Sequence, residues 1–178
     1  METLTDQELI EKVLSGQDAH YSQLVKRYQR AIYSTAARYL RCHAAADEAV
    51  QETFIKAYFS LKSYDSRYRF YTWLVRITIN LCHDAAKKQQ RYVALEEDHQ
   101  LSDSDDPLEN AIQKDSCQRI RNEIDGLPND QREVILLRVD KELSYEEISQ
   151  ALKIPQGTVM SRLFRGRKTL MERLRDVI

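Results

Sequence analysis

The most chemically loaded stretch of this 178-residue chain is Ser144–Lys168. Two short helical patterns flank a break at Ile154-Pro155-Gln156-Gly157. The second pattern opens at Thr158, read as its cap, and would expose Ser161, Arg162, Phe164, Arg165, Arg167 and Lys168. An α-helix fits the major groove of B-DNA. Arginine can donate two hydrogen bonds to guanine O6 and N7, and hydroxyls can reach phosphates or bases. A helix N-terminus also favours phosphate. The expectation is a helix-turn-helix whose second helix faces DNA. An ordinary helical hairpin with a solvated basic face is the competing reading.

A second stretch suits single-stranded nucleic acid. Bases taken out of a duplex need a pocket, hydrogen bonds to their edges and stacking partners. Tyr64, Tyr68, Phe70 and Tyr71 lie in or beside Ser63–Arg69, which has no helical period and reads as a loop. A basic helical stretch with Arg76, Lys87 and Lys88 follows. Phe70 and Trp73 suit a core position as well as a base platform, because large aromatics bury much area. Asn80 is polar among Ile77, Ile79 and Leu81, which calls for a specific partner.

These residues need helices to position them. Thr5-Asp6-Gln7-Glu8 is a capping box, opening a helix with Leu9, Ile10, Val13 and Leu14 on one face and Gly16 at its end. A second helix follows Asp18, with Tyr21, Leu24, Tyr28, Ile32, Ala36 and Tyr39 recurring at helical spacing. A third runs from about Ala46 to Leu61 with Val50, Phe54, Tyr58 and Leu61 inward; Asp47, Gln51 and Glu52 share its polar side. Thr72 is placed as the cap of a fourth helix, with Leu74, Ile77, Leu81 and Ala85 inward. Residues 93–107 turn polar and acidic, with Glu96-Glu97-Asp98 and Asp103-Ser104-Asp105-Asp106, and read as a flexible linker.

Asp106-Pro107 opens the next helix, which carries Leu108, Ile112, Ile120 and Ile124 to Gly126. Asn129 is placed as the cap before Val134, Ile135 and Leu137. Ser144-Tyr145-Glu146-Glu147 forms a second capping box ahead of Ile148, Ala151 and Leu152. Val159, Leu163, Leu170 and Leu174 line the inner face of the last helix. No strand-like alternation is present. The fold class is therefore all-α: two small helical domains, 1–92 and 108–178, joined by the acidic linker.

Composition narrows the function. Four glycines and three prolines are too few for a turn-rich β fold. No apolar run spans a bilayer, and the acidic start lacks the features of a secretory signal, so a cytoplasmic protein without membrane insertion is expected. Cys42, Cys82 and Cys117 lack metal-ligand spacing, and neither a metal nor another cofactor is implied. The net charge of −1 conceals a segregation, with acid in the linker and base in 67–91 and 162–175. Separated signs suit a protein that meets DNA on two faces and other proteins elsewhere. No nucleophile–base pair or Gly-rich phosphate loop appears, and no catalytic role or small-molecule substrate is assigned.

Motifs in both halves resemble one family. Leu127-Pro128, Arg132-Glu133-Val134, Ser144-Tyr145-Glu146-Glu147-Ile148 and Gly157-Thr158-Val159-Met160-Ser161-Arg162-Leu163 are similar to region 4 of extracytoplasmic-function (ECF) sigma factors. Asp47-Glu48-Ala49-Val50-Gln51-Glu52-Thr53-Phe54 and Phe70-Tyr71-Thr72-Trp73-Leu74 resemble region 2 of that family. The resemblance implies a subunit that directs promoter-specific initiation, with core RNA polymerase (β′ clamp helices and β flap), promoter DNA and an anti-sigma factor as partners. It assigns −35 contacts to Thr158, Met160, Ser161, Arg162, Phe164, Arg165, Arg167 and Lys168. It assigns −10 contacts to Ser66, Arg67, Tyr68, Phe70, Trp73, Arg76, Asn80, Lys87 and Lys88. Asp47, Gln51, Glu52 and Phe54 fall on the implied polymerase contact. Where the family usually carries Lys or Arg, this chain has Met160, which removes one charged contact. A stand-alone repressor, a helical enzyme and a protein-only adaptor are the rival readings.

Overall fold

The computed structural model describes residues 4–93, 111–139 and 142–175, and the side-chain surroundings of these except 88–93 and 111–117. The linker and the Asp106-Pro107 helix start lie outside the described residues. The chain divides into two compact units, Met1–Asp98 and His99–Ile178. Among the described residues there are eight α-helices and no strand.

The first unit holds α1 (Asp6–Leu14), α2 (Tyr21–Leu40), α3 (His43–Ser60) and α4 (Phe70–Val93). Local chemistry sets the ends of α1. The Thr5 hydroxyl accepts from the Glu8 amide at 3.3 Å, and the Thr5 amide donates to the Glu8 carboxylate at 2.7 Å. Such a cap is worth about 1 kcal/mol. At the other end Gly16 takes φ +92°. Its amide then donates to Val13 and that of Gln17 to Lys12, which satisfies carbonyls left open by the helix end. Asp6 accepts from Arg27 and from the Tyr28 hydroxyl, so α1 is pinned to α2. Leu14, expected inside, is 45% exposed.

Small residues carry the junction of α2, α3 and α4. Ala36, Ala46, Ala49 and Cys82 form a buried cluster, with Tyr33, Tyr39, Leu40 and Val50 packed around it. Burial pushes the Cys82 thiol up to about 12, which marks an inert core cysteine. Thr53 and Thr78 are buried between α3 and α4. Their hydroxyls donate to the Ala49 and Leu74 carbonyls at 2.7 and 2.9 Å, and the two oxygens lie 3.2 Å apart. Each buried hydroxyl is thereby satisfied within its own helix. The inner face of α3 is therefore Ala46, Ala49, Thr53, Phe54 and Ala57. The expected Val50 and Tyr58 are only half-buried, because small side chains let the helices approach more closely than large ones would allow. α3 also begins at His43, before the expected Ala46. Thr72 is no cap: α4 opens at Phe70, and Thr72 is buried within its first turn.

The second unit holds α5 (Ala111–Asp125), α6 (Asn129–Val139), α7 (Tyr145–Leu152) and α8 (Gln156–Arg173). Val134, Ile135, Leu137, Leu143, Ile148, Val159 and Leu163 form its core. The second capping box is present: Ser144 Oγ accepts from the Glu147 amide at 3.2 Å, and Glu147 accepts from the Ser144 amide at 2.8 Å. α7 stops at Lys153, held at φ 55°. The Ser149 hydroxyl donates to the Ile154 carbonyl at 2.6 Å and ties the turn back to α7. α8 starts earlier than expected. Pro155 occupies its N-cap, and the amides of Thr158 and Val159 donate to the Pro155 carbonyl. Proline fixes its own backbone for a helix entry, so Thr158 sits inside the first turn and is not the cap. Ile120, expected along the apolar side of α5, is 37% exposed.

Candidate nucleic-acid interface

α8 buries Val159, Leu163 and Gly166, and Gly166 lies against Ile135 and Gln131 of α6. The glycine allows a close approach there, since a Cβ would stand 3.1 Å from Ile135 Cγ1, a tight contact, and 3.5 Å from Gln131 Cβ. Helical spacing then turns Met160, Ser161, Phe164, Arg165, Arg167 and Lys168 outward, and all are exposed. Met160 is 54% and Phe164 70% exposed, too open for core residues. Met171, 69% exposed, extends this apolar stripe and was not picked out from sequence. Its spacing from Phe164, two turns along, was the available signal.

Arg162 departs from expectation. It shares the inner face with Val159, Leu163 and Gly166, and its guanidinium lies 3.4 Å from the Asp130 carboxylate on α6. It fastens α8 to α6 within the second unit rather than facing outward. Thr158 is half-buried at the start of the same face. Beside Arg162, Glu133 is 8% exposed. Burial pushes its carboxyl up to about 7, against the opposing pull of Arg162.

In the first unit the loop before α4 is tightly self-bonded. Asp65 accepts from the Arg67 amide at 3.1 Å and from its guanidinium at 2.6–3.0 Å. The Tyr64 hydroxyl donates to the Tyr68 carbonyl at 2.5 Å. Ser66, Arg67, Tyr68 and Arg69 are left exposed. Below them lies an aromatic bed. Phe70 meets Tyr64, Trp73 and Tyr28 at ring separations of 5.3, 5.6 and 5.7 Å, and Tyr71 stacks on Tyr28 at 6.0 Å. Phe70 is only 2% exposed. It therefore supports the loop from within the core and offers no open face to a base, which corrects its assignment as a DNA contact. Trp73 and Arg76 are half-buried; Asn80 and Lys87 are exposed. The Lys88 side chain lies outside the described residues.

On α3, Asp47, Gln51 and Glu52 are exposed together, as the polar pattern predicts. Phe54 is 7% exposed and belongs to the core, so it cannot meet a partner on that face. The outer face instead carries Ile55 and Phe59, 56% and 81% exposed, beside the Glu52–Lys56 ion pair at 2.9 Å. Sequence reasoning missed both, although each follows the polar residues at helical spacing. Among the described residues no cluster of ligating side chains suits a metal, and no helix is long and apolar enough to cross a membrane.

A helix-turn-helix with a basic outer face in one unit, and an aromatic loop leading into a cationic helix in the other, define a DNA-binding transcription protein of two helical modules. Known proteins make the class specific. Residues 24–92 match the family described as Sigma-70 region 2, and residues 117–170 match Sigma-70, region 4. The chain is 36% identical to the ECF RNA polymerase sigma-E factor of Haemophilus influenzae, with 99% of both chains covered. It is also 36% identical to the protein of that name from Escherichia coli K12, covering 99% of this chain and 98% of the relative. Among solved structures it is similar to the sigma factor RpoE of Bartonella quintana in complex with the anti-sigma factor NepR. There the TM-score is 0.75 at 25% identity, over 87% of this chain and 96% of the other. CnrH in complex with the cytosolic domain of CnrY gives a TM-score of 0.68 at 25% identity, over 96% and 97%. The chain belongs to the ECF sigma factor family, whose members are transcription initiation factors that direct RNA polymerase to promoters.

Proposed function

We propose how the work is divided along this chain. Residues 1–92 dock on core polymerase and hold the melted −10 strand, residues 108–178 read the −35 duplex, and 93–107 connect them. The observation that carries this reading is the outer face of α8, where Met160, Ser161, Phe164, Arg165, Arg167 and Lys168 are exposed together on a helix of groove-fitting size. Arg165, Arg167 and Lys168 meet phosphates or guanine edges. Met160 and Phe164 suit the methyl groups of thymine, an apolar contact that replaces the charged one the family usually makes.

In the first unit Ser66, Arg67 and Tyr68 form the exposed rim that receives a displaced base. Asn80, Arg76, Lys87 and Lys88 line the path of the strand along α4. Trp73 contributes its open edge. Unstacking costs a few kcal/mol per base, and capture at this rim offsets it without covalent chemistry. Asp47, Gln51 and Glu52 meet the polymerase β′ clamp helices, and the second unit meets the β flap. The protein works in the cytoplasm, where polymerase is, and catalyses no reaction of its own. The two similar structures are of complexes with NepR and with the cytosolic domain of CnrY, NepR being an anti-sigma factor. An inhibitor of that kind is accordingly the expected regulator of this chain.

Run-off transcription with core polymerase and a genomic promoter library tests the reading. Transcripts that start at defined sites only when this chain is added are expected. Their absence would favour a repressor or an adaptor. Gln51→Ala with Glu52→Ala should weaken core binding while DNA binding by the second unit stays intact; unchanged core affinity would remove the docking assignment.

A further inference from the structure

We infer that Asp65 is a positioning residue of the −10 loop with two separable tasks: its carboxylate neutralises Arg67, and one of its oxygens sets the turn that presents Ser66, Arg67 and Tyr68. The inference rests on the assignment of that loop to the melted strand. Asp65 Oδ1 accepts from the Arg67 backbone amide at 3.1 Å, two residues on, which is the bond that shapes an Asx turn. Both carboxylate oxygens also accept from the Arg67 guanidinium, at 2.9–3.0 Å from Nε and 2.6 Å from Nη2. The Asp65 backbone carbonyl accepts from the Tyr68 amide at 3.1 Å, so the turn closes on itself.

The geometry makes Arg67 a guarded cation. Its side chain is 79% exposed, and the guanidinium stands 5.8 Å from the centre of the Tyr68 ring. The Nε and Nη2 edge of its donor fork, one of the edges that could grip a phosphate, is already taken by the Asp65 carboxylate. A strand backbone that takes this edge exchanges one anion for another, and elsewhere on the guanidinium it meets a cation that Asp65 has already neutralised. The Arg67 hydrogen bonds hold the Asp65 carboxyl below its ordinary range, so the competing charge is present throughout the neutral region. An exposed pair of this kind is weak enough to open. It subtracts from binding to any strand equally, and leaves selection to the shape of the rim.

Two substitutions separate the tasks. Asparagine at this position retains an oxygen for the Arg67 amide and loses the charge; alanine loses both. The assay uses holoenzyme reconstituted with the full-length chain, core polymerase alone as the control, and a fluorescent single-stranded DNA pool with a randomised central segment. Affinity is read across a salt series, and the bound pool is sequenced. With Asp65→Asn, pooled affinity rises about two- to fivefold, the range an exposed ion pair commands. The salt slope steepens by about 0.7, the value for one added phosphate contact on a single strand, while base preferences stay as in the parent. With Asp65→Ala the preferences flatten as well, because the turn is lost.

Asp65→Asn with unchanged affinity and slope, in a protein where Arg67→Ala does weaken binding, overturns the guarding role. Asp65→Ala with preferences intact overturns the turn-setting role. If Arg67→Ala and both Asp65 variants match the parent, the assignment of this loop to the melted strand falls first and takes the inference with it.

Discussion

Replacing Glu133 by glutamine removes a titratable group from beneath the DNA-facing helix and keeps its size. Glu133 is 8% exposed on α6, and burial raises its carboxyl from 4.5 to about 7. The folded chain thus holds this proton more tightly than the unfolded chain. Between the two values the folded state binds more protons, so raising the pH costs stability. The contribution is whole below 4.5 and is lost as the pH passes the folded value near 7. At about 1.4 kcal/mol per pH unit of displacement, the loss reaches about 3 kcal/mol in the second unit. Glutamine carries no charge and escapes it. Hydrogen exchange of α6 and α8 amides in the full-length chain, corrected for intrinsic rates, reads the local free energy. Parent and Glu133→Gln should agree at about pH 4, and the variant should be the more protected by up to about 3 kcal/mol at about pH 8. A difference that does not change with pH, or a parent better protected at the higher pH, would refute the argument. The ionised Glu133–Arg162 attraction would then outweigh burial.

Arg162 and Arg165 should behave differently although both are basic residues of α8. Arg165→Ala should lower the salt slope of −35 DNA binding by about one, since it removes an outward charge. Arg162→Ala should leave the slope unchanged and cost about 1 kcal/mol of stability, because its partner is Asp130 at 3.4 Å on a partly exposed pair. Equal slopes for the two variants would place Arg162 on the DNA after all. Gly166→Val should destabilise the second unit by about 1–3 kcal/mol in chemical denaturation, as its branched side chain meets Ile135 across the α6–α8 contact. An unchanged midpoint would mean that α6 and α8 are not so close.

Features written in neighbouring residues were legible directly. The capping boxes Thr5–Glu8 and Ser144–Glu147 and the stop at Gly16 depend only on bonds reaching three to five residues along the chain. The outward positions of Ser161, Phe164, Arg165, Arg167 and Lys168 on α8 and the polar side of α3 followed from helical spacing, which needs no knowledge of what lies across the core. The helix-turn-helix and the resemblance to the sigma family followed from motifs of the same short range.

The remainder required partners distant in sequence. Thr72 and Thr158 have the residue type of a cap, yet the entry of each helix is set elsewhere, at Phe70 and at Pro155. Helical spacing put Phe54 inward and left Phe70 open to a core position or a base platform; packing against other helices encloses both, against the contact roles that the resemblance implies. Ile55 and Phe59 look like core residues and face outward, because alanines and a threonine supply the close side of α3. Arg162 differs from Arg165 only in which way one turn of helix points relative to Asp130 and Glu133. The amino-acid order thus determined which helices form and what class of protein they make, since those depend on local bonds and periodicity. Tertiary structure alone decided which aromatic and cationic side chains remain available to DNA, because availability is set by what packs against them from other elements.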